Sequence, residues 1–92
     1  MQYVFIQRPG DREKIIELAA TFKLKSKQEL VESYNNSVKV GIVGVHAQAQ
    51  MLVALHNAFK NAFGKSPITI EENIIISLTG KIILIDDEWE HC

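Results

Sequence analysis

The chain predicts an α+β fold, three helices packed on one face of a small antiparallel sheet, and three observations carry that prediction. Apolar residues recur at the three-to-four spacing through three segments between residues 11 and 63. Beyond Pro67 the pattern changes to short Ile-rich runs bounded by polar and glycine-containing stretches, the signature of strands. Between the two regimes Gly64 and Pro67 stop the third helix, since glycine accepts the left-handed conformation past a helix end and proline cannot continue it.

The first element is a strand over residues 3–7, Tyr-Val-Phe-Ile-Gln, followed by Arg8-Pro9-Gly10-Asp11, a turn whose aspartate can cap a helix. From Arg12 to Lys23, Ile15, Leu18, Ala19 and Phe22 share one helical face, with Glu13, Lys14, Glu17 and Thr21 opposite. Ser26-Lys27-Gln28-Glu29 has the capping-box spacing and opens a second helix that turns Leu30, Val31 and Tyr34 inward. Asn35-Asn36-Ser37 predicts its end, because such side chains compete for backbone hydrogen bonds.

Residues 38–45 admit two readings. Their β-branched content suits a strand, but Gly41 and Gly44 suit an interhelical linker that needs positive φ or close approach. The linker is preferred, with the third helix starting near Gly44 and running to Phe63. That helix is apolar over half its girth and leaves His46, Gln50, Asn57, Lys60 and Asn61 on the other side. Ile68-Thr69-Ile70, Ile74 to Leu78 and Ile82 to Ile85 then read as a β-meander, with Gly80 supplying positive φ for a primed hairpin turn and strand 3–7 added to the sheet. Residues 87–92 read as a short acidic tail around Trp89. The expected core includes Leu18, Phe22, Leu52, Leu55, Phe59, Ile74 and Ile76.

Ninety-two residues with 47% apolar composition, five Gly and two Pro make one compact domain that folds by burial. A single cysteine, Cys92, forbids an internal disulfide and a cysteine-based zinc cage, which suits a reducing compartment. The opening apolar stretch is too short for a signal peptide, and no run is long enough to span a bilayer, so the chain reads as cytoplasmic with no membrane partner. Residues 1–39 hold seven Lys and Arg against five Asp and Glu, and residues 40–92 hold three against six. Neither imbalance draws a polyanion by field strength.

Several constellations invite chemistry. Gly41, Gly44 and His46 could place loop amides and a helix N-terminus around a small anion. The spacing is neither a dinucleotide fingerprint nor a phosphate loop, and glycines that let helices pack closely explain it as well. Lys23, Lys25 and Lys27 with His46, Gln48 and Gln50 outline a helix-loop-helix over residues 27–63 that could meet nucleic acid. The linker is longer than that motif uses, and the acidic C-terminal region repels phosphate. Gln48 projects from the apolar arc, where bonding to nearby backbone is its expected fate.

His46 and His56 are ten residues apart, turned roughly 80° from one another on a helix, so no shared metal is expected. His91 and Cys92 lie among solvated carboxylates. No serine sits in a nucleophile elbow, and Glu71-Glu72 and Asp86-Asp87 fall in turns where carboxylates stay ionised. The expectation is a non-enzymatic interaction or regulatory module without a cofactor. With Ile74, Ile76, Leu78, Ile82 and Leu84 toward the helices, Ile75, Ile83 and Ile85 would form an outer apolar patch that supports a homodimer.

Overall fold

The computed structural model describes residues 2–71 and 75–92, with Gln2 in backbone only. The element order is β1 (Gln2–Val4), α1 (Asp11–Lys23), α2 (Lys27–Val40), α3 (His46–Phe63), β2 (Ile68–Glu71), β3 (Ile75–Leu78), β4 (Ile82–Ile85) and β5 (Glu88–His91). The α+β architecture is as predicted: α3 lies at the centre, α1 and α2 pack on it, and the strands complete one apolar core. Phe22, Leu52, Leu55, Phe59 and Ile76 are buried, while Leu18 packs against the core half-exposed. The assignment of Ile74 lies outside the described residues.

Local chemistry explains each helix boundary. Arg8-Pro9-Gly10-Asp11 closes a turn through the Asp11 amide and the Arg8 carbonyl at 3.1 Å. Gly10 has φ 88° and ψ −12°, the third-position geometry of a type II turn, with proline in the favoured place before it. Asp11 is therefore the first residue of α1 and not its cap. At α2 the capping box forms in both directions, Ser26 Oγ accepting from the Glu29 amide at 3.1 Å and Glu29 Oε1 accepting from the Ser26 amide at 2.9 Å. The bond from the Ser26 amide, with the Ser26 side chain adding to it, holds the Glu29 carboxyl below its usual pKa.

Helix α2 runs past the expected stop at residues 35–37. Asn35 does not compete with its own backbone. Its amide group pairs with β4, Nδ2 donating to the Ile82 carbonyl at 2.8 Å and Oδ1 accepting from the Ile82 amide at 2.9 Å. Ser37 Oγ donates back to the Ser33 carbonyl within the helix. With both side chains engaged in ways that leave the helical ladder intact, the helix continues to Val40, and Gly41 ends it at φ 82°. Residues 41–45 are irregular, so the linker reading holds, and α3 begins at His46, two residues after Gly44.

The meander is corrected. Strand β3 pairs antiparallel with β2 on one edge and with β1 on the other, giving the order β1-β3-β2. A strand has two edges, so β4 is left to find another partner, and it pairs with β5 as a separate two-stranded sheet. Residues 88–91 are thus a strand and not a tail. The turn between β4 and β5 is Asp86-Asp87, both at positive φ (51° and 65°), as a two-residue primed turn requires. Gly80 is not at positive φ. It lies in the crossover from β3 to β4, held by the buried Tyr34: the hydroxyl donates to the Gly80 carbonyl at 3.1 Å and accepts from the Thr79 amide at 3.0 Å.

Trp89 anchors β5. Its ring is buried edge-on against Phe59 and Nε1 donates to the Lys65 carbonyl at 3.0 Å, while the Lys65 ammonium lies 4.5 Å from the ring centroid. The Cys92 amide donates to Lys81, carrying the pairing to the last residue.

Candidate functional site

The N-terminal ends of α1 and α3 meet at Asp11. Its carboxylate is 3% exposed and accepts four contacts: the Arg8 amide at 2.6 Å and His46 Nε2 at 2.9 Å on Oδ2, and His46 Nε2 at 2.8 Å and Gln50 Nε2 at 2.7 Å on Oδ1. Burial pushes the Asp11 pKa up, but the Arg8 amide, then the His46 and Gln50 bonds and the nearby His46, outweigh it and hold the carboxyl below its usual value. His46 and Gln50 sit one helical turn apart at the start of α3, which puts both side chains over the same carboxylate. The His46 ring stacks on Phe5 at 5.0 Å between centroids and 19° between planes.

An open cleft of about 550 Å³ lies beside this cluster, between α1, α3 and the strand layer. Phe5 forms part of its wall, together with Ile15 and Ile16 of α1, Val53 of α3 and Ile70 of β2. Four polar side chains share the lining: Gln7, Arg12, His56 and Asn57. Among the described residues none of the lining is acidic. His56 is half-buried, and its Nδ1 lies 2.8 Å from the Ile68 carbonyl. A carbonyl only accepts, so Nδ1 carries the proton and Nε2 is the acceptor nitrogen. Burial is the main cause that lowers the His56 pKa, the charge of Lys60 adds to it and the Ile68 bond opposes it, so the ring is neutral near pH 7. Arg12 is exposed and makes no ion pair among the described residues.

The residues singled out from sequence fall in different places. Gln48 spans the linker, Oε1 accepting from the Val43 amide at 3.0 Å and Nε2 donating to the Gly41 carbonyl at 2.8 Å. Gly41 and Gly44 are both at positive φ, φ 82° and 79°. The anion beside the first turn of α3 is supplied by the chain itself, since His46 and Gln50 are bonded to Asp11. Lys27 donates to the Asp87 carbonyl and lies over the Phe63 ring, Lys25 is half-buried and Lys23 is exposed at the end of α1. The helix-loop-helix surface therefore presents few of the polar groups proposed to read bases. Ile83 and Ile85 are exposed on β4, whereas Ile75 is half-buried on β3 in the other sheet. The three do not make one sheet face. Among the described residues no group of three or more His, Cys, Asp or Glu is arranged to hold a metal ion.

Sequence reasoning missed the cleft and the Asp11 cluster. The available signal was the Pro-Gly turn, which makes Asp11 the first helical residue and frees its side chain from capping. Among the described residues no helix is long and apolar enough to cross a membrane. Comparison with protein-family models, with curated proteins and with solved structures returns no match.

Proposed function

We propose that this protein is a non-enzymatic binding module whose recognition site is the cleft between α1 and α3. The observation that carries this reading is the lining: five apolar side chains with Gln7, Arg12, His56 and Asn57 set among them. An apolar concavity with a few convergent polar groups is the usual form of a small-molecule site, and its volume lies in the range such sites occupy. Neutral His56, oriented by its bond to Ile68, adds a fixed acceptor. A fragment screen by NMR tests the proposal. Binders should shift the methyl signals of Ile15, Val53 and Ile70 and the ring signals of His56 together. A screen whose hits perturb other surfaces, or that yields none, refutes it.

Self-association through the outer face of β4 and β5 is a second reading, favoured by Ile83 and Ile85, 48% and 46% exposed on adjacent outward positions. Sedimentation equilibrium of the native chain and Ile83→Lys decides it: a dimer dissociated by the substitution supports the reading, and a monomer in both removes it. A cytoplasmic location accords with the single Cys92, which is exposed and free.

A further inference from the structure

Building on the cleft reading above, we infer that the occupant is a small amphipathic monocarboxylate, its carboxylate on Arg12 and its apolar body along Ile15, Ile16 and Val53. The charge balance of the described lining residues sets the sign and the number. Among them Arg12 is the one cation, none is a carboxylate, and Gln7 and Asn57 are neutral. Guanidinium presents paired N–H groups that match a carboxylate fork.

A dianion such as a phosphate monoester would find a single matching charge among the described lining residues, Arg12. An uncharged apolar molecule would make no use of the guanidinium, which is exposed and keeps its water. One charge at one end and a branched or aromatic body is the chemistry that satisfies both parts of the wall.

His56 refines the class. With Nδ1–H bound to the Ile68 carbonyl, Nε2 offers a lone pair and repels a carboxylate oxygen. The carboxylate therefore belongs at Arg12 and away from His56, and a hydroxyl or amide N–H elsewhere on the ligand is what His56 can receive. The site prefers an apolar acid bearing such a donor over the plain acid.

The probes are 3-phenylpropionate, its 2-hydroxy derivative and the uncharged 3-phenylpropanamide, titrated into the full chain and followed by methyl and histidine NMR signals. The expected order is hydroxy acid tightest, then acid, with the amide weaker than the acid by about tenfold, the value of one charge-assisted pair. Arg12→Gln should erase the difference between acid and amide while leaving amide binding unchanged, and Arg12→Lys should restore part of it. Equal binding of acid and amide, or an acid unaffected by Arg12→Gln, overturns this inference and leaves the cleft as a binding site. An acid that binds no more tightly once hydroxylated overturns the role given to His56. No binding by any of the three, in a protein whose fragment screen also yields none, overturns the cleft reading itself.

Discussion

Replacing Trp89 by alanine tests whether the last residues are a packed strand or an acidic tail. The indole is 6% exposed, meets Phe59 edge-on at 6.5 Å and His91 edge-on at 5.3 Å, and donates to the Lys65 carbonyl. Removing a buried aromatic of this size costs about 3–5 kcal/mol in transfer and cavity free energy. A domain of this length is stable by about 5–14 kcal/mol in all, so the loss is a large share of the total. With a urea slope of about 1–1.5 kcal/mol per molar for a small domain, the midpoint should fall by roughly 2 M or more. Trp89→Phe keeps an aromatic ring but loses the hydrogen bond and much of the Lys65 contact, and should cost about 1–2 kcal/mol. Far-UV circular dichroism follows both variants, and in the native chain the single tryptophan reports its own burial by a red shift of emission on unfolding. A Trp89→Ala protein within about 0.5 kcal/mol of the parent, the range of ordinary surface changes, would refute the packing of β5 and everything argued from it.

Four further outcomes are expected. Phe59→Ala, at a fully buried position between Tyr34, Phe63 and Trp89, should lower stability by about 3–5 kcal/mol in urea titration. Ser26→Ala should cost about 1 kcal/mol by loss of the cap on the Glu29 amide, measured the same way. Asp86→Asn with Asp87→Gly places the residues a primed turn prefers at two positions already at positive φ, and should raise the melting temperature by a few degrees. For Asp11, whose folded pKa is depressed, the carboxylate's contribution is present in full above the unfolded value and is lost as pH falls through the folded one. The stability gap between the native chain and Asp11→Asn should accordingly close as the pH falls into the acid range, a trend read from thermal melts at a series of pH values.

The helices and the inward faces of the strands were legible because periodicity reports burial directly. Ile76, Leu78 and Ile82 are buried while Ile83 and Ile85 are exposed, as alternation along β3 and β4 requires. Strand pairing was not legible, because it depends on which edges are free. Strand β1 takes the edge of β3 that a meander would give to β4, and Glu-Trp-Glu-His lacks the β-branched residues that mark a strand. The turn beside it was hidden for a related reason. Asp86-Asp87 is a rarer primed turn than one containing glycine, while Gly80 advertised a conformation it does not adopt. The length of α2 turned on Asn35, whose partner is 47 residues away, and on Ser37, which bonds back within the helix.

The Asp11 cluster shows why a site of this kind escapes local reading. Each member had a local explanation: Asp11 as a cap, His46 as a ligand at a helix start, Gln50 as a solvated face. What joins them is a separation of 35 residues to His46 and 39 to Gln50, closed only when α1 lies along α3. Burial of a carboxylate is unfavourable unless its oxygens are satisfied, and here four hydrogen-bond contacts from three residues satisfy them. The consequence reaches the cleft. His46, fixed by Asp11, carries Phe5 on its ring, and Phe5 is a wall of the cleft in which Arg12, the residue after Asp11, supplies the positive charge. The turn that buries Asp11 therefore also sets where α1 begins and where Arg12 stands. A polar junction that looks structural in isolation is what holds one apolar wall and the charged rim in register with each other.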